Sequence, residues 1–179
     1  MRKEIRISGF GGQGVGLAGY ILGKALTLYD GKDAVMTQSY GPEARGGASS
    51  ANVVVSDEPI DYPFVQEPDV LVALSQEAFD KFLPSVKSDA LILVDEDLVD
   101  TGHQERVHRI PCTRLAEELG RRIVANVVML GFFTSVTGVV SQEAVAEAIK
   151  NSVRSKTIPL NLRAFETGFQ YAVDTENVR

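Results

Sequence analysis

The residues best placed to do chemistry lie in two glycine-rich stretches near the start of the chain, Gly9-Phe10-Gly11-Gly12-Gln13-Gly14-Val15-Gly16 and Ser39-Tyr40-Gly41-Pro42-Glu43-Ala44-Arg45-Gly46-Gly47. Each follows a short apolar run that reads as a strand, so each is expected at the carboxyl edge of a sheet. Glycine costs backbone entropy there, and in return it allows φ > 0 and lets main-chain N–H groups come close to a second body. The first stretch satisfies GxGxxG between a strand and a helix, a Rossmann-like start that aims helix N-terminal amides at a pyrophosphate. A dinucleotide site also needs an acid at the end of the second strand, to hold the ribose. That strand ends in Thr37-Gln38-Ser39, and Asp33 stands at its beginning, on the wrong edge. The full dinucleotide reading fails at this point. Two readings stay open. Gly11, Gly12, Gln13 and Gly14 form an anion or phosphate cradle, or the glycines only permit a tight strand–helix crossing or the approach of a neighbouring chain. Under either, Gln13 is a long amide able to donate and accept outward from the loop tip.

In the second stretch Pro42 fixes φ and favours a turn beginning at Gly41. Gly46 and Gly47 can take dihedrals barred to other residues, and Glu43 and Arg45 stand between. Arginine offers a planar fork of donors to a carboxylate or phosphate. An internal Glu43–Arg45 pair on an exposed turn would be worth little, and such a turn has no need of so many glycines. Tyr40, Gly41, Glu43, Arg45, Gly46 and Gly47 therefore read as a recognition loop. Asp95-Glu96-Asp97 reads as a solvated loop rather than a metal site, and His103 and His108 as surface residues. Cys112 follows Pro111 at a helix start, where a thiol pKa can fall. With no basic partner in view, a buried structural thiol is the better reading. No nucleophile elbow, P-loop lysine or Ser/His/Asp arrangement stands out, and no catalytic acid or base is assigned.

These loops need a frame. Residues 4–8, 34–38, 50–56, 70–74, 90–94 and 106–110 read as strands, the fourth and fifth apolar enough to be buried on both faces. Helical spacing from Val15 to Tyr29 puts Ala18, Ile21, Leu22, Ala25 and Leu28 on one stripe, closed by Gly31. Ser75 and Ser141 are candidate N-caps, Pro84 a stop, and Thr113 a further cap. Residues 127–136 are apolar nearly all round and read as a buried helix with Asn126 at its cap. A last helix starts near Asn161. Strands alternating with helices give an α/β, three-layer domain with a mainly parallel sheet, expected to occupy 1–179 as a single unit.

At 179 residues, 44% of them hydrophobic, the chain can bury a proper core. The formal charge of −6 argues against nucleic acid, whose affinity comes from neutralised phosphates. No apolar run reaches the length of a membrane span and no signal peptide precedes the first strand, so no membrane role and a cytoplasmic location are expected. One cysteine allows no internal disulfide and cannot alone ligate an iron–sulfur cluster. Two histidines make a histidine-rich metal site unlike this chain, and no bound metal is assigned.

The two loops, in this order, resemble the gamma subunit of the 2-oxoacid:ferredoxin oxidoreductases. Shared with them are Gly9-Phe10-Gly11-Gly12-Gln13-Gly14-Val15 and Gln38-Ser39-Tyr40-Gly41-Pro42-Glu43-Ala44-Arg45-Gly46-Gly47. So are Ile60-Asp61-Tyr62-Pro63, Asp69-Val70-Leu71-Val72-Ala73-Leu74, Asn126 and Asn161, which together extend the likeness over nearly the whole chain. The resemblance implies a complex that oxidatively decarboxylates a 2-oxo acid, forms an acyl-CoA and reduces ferredoxin. It places thiamine diphosphate and iron–sulfur clusters on alpha, beta and ferredoxin-like delta companions, with no activity for this chain alone. This chain lacks a Gly-Asp-Gly…Asn-Asn type thiamine signature. It would pack on the alpha and beta subunits and help form the coenzyme A entrance. Gly11, Gly12, Gln13 and Gly14 would shape an N–H concavity, while Tyr40, Glu43 and Arg45 project to a neighbour or the coenzyme. Ala44-Arg45-Gly46-Gly47 looks most like members acting on 2-oxoglutarate; pyruvate, branched-chain 2-oxo acids and indolepyruvate stay open. A stand-alone Rossmann-type dinucleotide-binding protein and a ligand-free scaffold are the rival readings.

Overall fold

Strands β1 (Arg2–Phe10), β2 (Asp33–Tyr40), β3 (Ala48–Ser56), β4 (Val70–Ala73), β5 (Leu91–Asp95) and β6 (Val107–Ile110) form one sheet in the order β2-β3-β1-β4-β5-β6. The computed structural model describes residues 1–40 and 47–177. β1 pairs in parallel with β4, β4 with β5, and β5 with β6. β3 runs antiparallel to both its neighbours, β1 and β2. The α/β fold with a mainly parallel sheet is therefore present, with one reversed strand lying beside β1.

Helices α1 (Val15–Lys24), α3 (Cys112–Glu118), α4 (Ala125–Thr137), α5 (Gln142–Lys150) and α6 (Ile158–Glu176) bury their apolar sides with Ile5, Ile7, Val53, Val72 and Leu93 in the larger core. Side chains alternate across a strand, so Ala73, Ile92 and Val94 face the other way. There they meet Phe79 of the short helix α2 (Gln76–Phe82) and Val99 in a smaller cluster. The sheet is flanked on both faces, very unequally. β4 has only four residues and all are buried, which explains its unbroken apolar composition.

The caps at Ser75 and Ser141 form: Ser75 Oγ accepts from Ala78 N–H (3.2 Å) and Ser141 Oγ from Ala144 N–H (3.1 Å). Three expectations shift. After Lys24 the helix widens into a π-helical turn over Ala25–Tyr29, which puts Leu26 in the core and leaves Leu28 64% exposed. Regular 3.6-residue spacing had turned Leu28 inward. Thr113 lies inside α3 rather than capping it, and α6 begins at Ile158 with Pro159 in its first turn. α4 is apolar all round because α6 lies directly on it. A Cβ on Gly131 would sit 2.0 Å from Phe165 O, and one on Gly168 1.8 Å from Val128 O, so the backbones touch. Among the described residues no helix is long and apolar enough to cross a membrane.

Candidate functional site

Strand register brings the two glycine stretches together. Gly9 pairs with Ser49 and Phe10 with Ala48, while Tyr40 pairs with Ser49 from the other side. The loop after β1 and the connection between β2 and β3 thus leave the sheet side by side, and Ser49 Oγ donates to Gly9 O (3.2 Å). Tyr40 closes β2 and Gly47 immediately precedes β3. Gly41, Glu43, Arg45 and Gly46 lie outside the described residues.

In the first loop Gly12 has φ 89 and Gly14 has φ 73, both in the region that disfavours side chains. Gly14 is the N-cap of α1, and its carbonyl accepts from Ala18 N–H and from Asn126 Nδ2, each at 3.0 Å. Gln13 turns inward, not out from the tip: its Oε1 accepts from Phe10 N–H (2.6 Å) and its Nε2 donates to Leu74 O (2.9 Å). Leu74 follows β4, whose connection leads to α2 on the opposite face from α1. In doubly wound sheets the ligand crevice opens where connections part in this way, and here the Gln13 amide spans it.

A larger cleft of about 730 Å³ opens beside that loop, toward α4 and α6. Gly12, Gly14 and Ser49 form one wall. Arg121 and Asn126 come from the start of α4, and Arg154 and Asn161 from the turn into α6. Three helix N-termini therefore converge on one space. None of the three carries an acid in its first turn, whereas α2 has Glu77 and α5 has Glu143. The helix dipoles of α1, α4 and α6 all favour negative charge there, although α4 and α6 each continue from a 3-10 turn (Arg122–Val124 and Ser155–Thr157) that already engages Ala125 N–H and Ile158 N–H. Arg122 pairs with Glu117 (3.8 Å), but Arg121 and Arg154, both exposed, form no ion pair among the described residues. Phe10, Val15, Leu17 and Leu160 add apolar wall. In size and lining the cleft has the dimensions of a small-molecule pocket, with a cationic end at Arg121 and Arg154. Ser152 also lines it, and its Oγ is the one buried side-chain N or O atom among the described residues without a hydrogen-bond partner.

Glycine spacing had pointed to the loop. Asn126 reads from the sequence as a helix cap and Asn161 as lying near a helix start, both shared with a family; the fold sets both in the cleft, with Asn126 inside α4, whose N-cap is Val124. Arg121 and Arg154 carried no sequence signal, because each is a lone arginine in an ordinary context until the chain folds around the loop. The acidic run is less solvated than expected. Asp95 is fully buried, and its Oδ2 accepts from Cys112 Sγ (3.0 Å), Thr113 N–H (3.0 Å) and Thr113 Oγ1 (2.6 Å). Glu96 and Asp97 pair with Arg114 instead. Burial, then the nearby Asp95 charge, pushes the Cys112 thiol well above its ordinary value. That thiol is structural. Among the described residues no group of three His, Cys, Asp or Glu could hold a metal ion.

A family model for pyruvate ferredoxin/flavodoxin oxidoreductase matches residues 4–171. The chain is 56% identical over 177 residues to the 2-oxoglutarate synthase subunit KorC of Methanocaldococcus jannaschii, covering 96% of this chain and 95% of that one. It is 39% identical over 174 residues to the ketoisovalerate oxidoreductase subunit VorA of Methanothermobacter thermautotrophicus, covering 94% of this chain but 36% of VorA. The crystal structure of a keto/oxoacid ferredoxin oxidoreductase gamma subunit from Geobacter sulfurreducens superposes with a TM-score of 0.86 at 44% identity, covering 96% of this chain and 99% of that one. The chain belongs to the pyruvate ferredoxin/flavodoxin oxidoreductase family, as a gamma-type subunit of the 2-oxoacid:ferredoxin oxidoreductases.

Proposed function

We propose that this chain, as one domain, serves a cytoplasmic complex that oxidises 2-oxoglutarate, and that its own part is to receive coenzyme A in the cleft beside the first glycine loop. In the overall reaction the 2-oxo acid loses carbon dioxide, its acyl group passes to the coenzyme A thiol, and the electrons leave to ferredoxin. A single buried cysteine cannot ligate a cluster, so the reading assigns thiamine diphosphate and iron–sulfur clusters to alpha, beta and ferredoxin-like delta chains. The 56% identity to KorC over nearly the full length favours 2-oxoglutarate among the 2-oxo acids. The low coverage of VorA supports a working neighbour, since the same domain is there joined covalently to further chain.

One observation carries the coenzyme reading: three acid-free helix starts and two arginines that form no ion pair among the described residues meet on one cleft. Coenzyme A is a polyanion at its nucleotide end and apolar along much of its arm, and the cleft offers both kinds of wall. Gly11, Gly12 and Gly14 line the cleft, Gln13 holds the loop, and Tyr40, Gly41, Glu43, Arg45, Gly46 and Gly47 are the proposed contacts with the coenzyme or the companion chain. A dinucleotide is disfavoured by Gln13 across the crevice.

Calorimetric titration of coenzyme A into the assembled complex tests the reading, with Arg121→Ala/Arg154→Ala alongside. Expected are at least a tenfold weaker affinity in the double variant and a steeper loss with salt in the parent, since exposed charge pairs are screened. Unchanged affinity would move the coenzyme elsewhere and leave the chain a scaffold. Turnover with 2-oxoglutarate, pyruvate and 2-oxoisovalerate settles the acid.

A further inference from the structure

Asn126 is 3% exposed in the first turn of α4, and both ends of its amide are in use. Its Nδ2 donates to Gly14 O across 112 residues of sequence (3.0 Å), and its Oδ1 accepts from Val127 N–H (2.9 Å). The approach demands glycine opposite: a Cβ on Gly14 would lie 2.3 Å from Nδ2. Gly14 is also the residue from which α1 springs. One side-chain amide therefore joins the origins of two helices that both border the same cleft. Gln13, bonded to Leu74 O, fixes the opposite flank of the loop to β4. Neither side chain carries charge, and the bonds each makes hold backbone at the rim of the cleft.

We propose that Asn126 is a positioning residue for coenzyme A: through Gly14 it holds the glycine loop and the α1 start in place against the start of α4. The inference rests on the cleft being the coenzyme's site. An amide donor aimed a fraction of an ångström off loses much of its hold on an anion, and misplacement of this kind is costly in bound complexes. Loss of the bond should then appear where the coenzyme binds and not where the 2-oxo acid does.

Asn126→Ala and the nearly isosteric Asn126→Asp are compared in the assembled complex, its integrity checked by gel filtration. The expected result is a rise of tenfold or more in KM for coenzyme A and in its calorimetric Kd measured without 2-oxo acid. KM for the 2-oxo acid and kcat at saturating coenzyme should move by less than twofold. Asn126→Asp should be the weaker binder of the two, since it replaces a donor with a charge beside the anion. Parental Kd and KM for coenzyme A in an assembled variant would overturn the inference, as would failure of both variants to assemble, which would make Asn126 a folding residue only. The arginine pair separates the two levels. If Arg121→Ala/Arg154→Ala weakens coenzyme binding and the Asn126 variants do not, the positioning role alone fails; if neither does, the cleft reading fails with it.

Discussion

Three glycines of the first loop should respond to alanine in a graded series set by two separable terms. Gly11 has no positive φ, and a Cβ built on it meets nothing within 4 Å, so Gly11→Ala should leave stability within about 0.5 kcal/mol, as for an ordinary surface change. Gly12 meets nothing either but stands at φ 89. Gly12→Ala therefore carries strain alone, about 1–2 kcal/mol for a left-handed non-glycine residue. Gly14 combines φ 73 with a Cβ position 2.3 Å from Asn126 Nδ2. To the same strain, Gly14→Ala adds a buried amide driven off its partner, about 1–3 kcal/mol, for a total of about 2–5 kcal/mol. At this chain length 1 kcal/mol shifts Tm by about 2–4 °C, so Gly12→Ala should melt about 2–8 °C and Gly14→Ala about 4–20 °C below the parent. Calorimetric unfolding of the purified chain reads the series directly. Gly14→Ala in the Asn126→Ala background should cost less than in the parent, because the clash is gone. Equal shifts at all three positions, or a Gly14 effect that ignores Asn126, would refute the reasoning.

Gly131→Ala and Gly168→Ala each drive a Cβ to within 2.0 Å of facing backbone carbonyl oxygen. Overpacking of about 1–3 kcal/mol or more should outweigh the roughly 1 kcal/mol that alanine gains in helix propensity, lowering Tm. Ser75→Ala and Ser141→Ala each lose an N-cap, worth about 1 kcal/mol in denaturant unfolding. For Asp69, burial alone would raise the pKa, but the Lys87 Nζ bond (2.8 Å) and the Glu4 N–H bond (2.7 Å) outweigh it and hold the carboxyl below its usual range. A lowered folded-state pKa gives stability present above about pH 4 and lost as pH falls through the folded value, so Asp69→Asn should flatten the acid limb of a Tm–pH profile. Cys112 has the opposite sign: its raised thiol pKa favours the neutral form, with stability present below about pH 8.5 and lost above it. Native protein should resist iodoacetamide at pH 8, and fast alkylation there would contradict a buried thiol.

Strand and helix identity was legible where one local cause sets the element. β4 and β5 show as apolar runs because both faces are covered, and Ser75 and Ser141 show as caps because the bond they make spans three residues. Leu28 was not legible. Its exposure follows from a π-helical turn, whose extra residue per turn breaks the spacing that had aimed it inward. Asp95 was misplaced for a different reason: the donors that make its burial tolerable, Cys112 and Thr113, lie 17 and 18 residues away. The candidate site divides along the same line. Glycines announce themselves through backbone freedom, while Arg121, Arg154 and the Asn126–Gly14 bond exist only as products of the chain's path.

Sheet order explains why a sound GxGxxG fails to make a dinucleotide site here. In that site a parallel strand beside β1 ends at the same edge and delivers the ribose-binding acid. The neighbour of β1 is instead β3, reversed, so its carboxyl end at Ser56 pairs with Arg2 at the far edge. What β3 brings to the glycine edge is its start, Ala48 and Ser49, joined to β2 by the second glycine stretch. The reversal replaces an acid with a hairpin connection, and Gln13 spans the remaining gap toward β4. On the function proposed above, binding moves to the other side of the loop, into the cleft bordered by the starts of α4 and α6. An acid engineered at Gln38 would still have Gly16 packed against its side chain, and the crevice beside Gln13 is narrowed to a pocket of about 300 Å³. Gln38→Asp should therefore gain no affinity for NAD(H) by calorimetry, and measurable binding would show the crevice to be open after all.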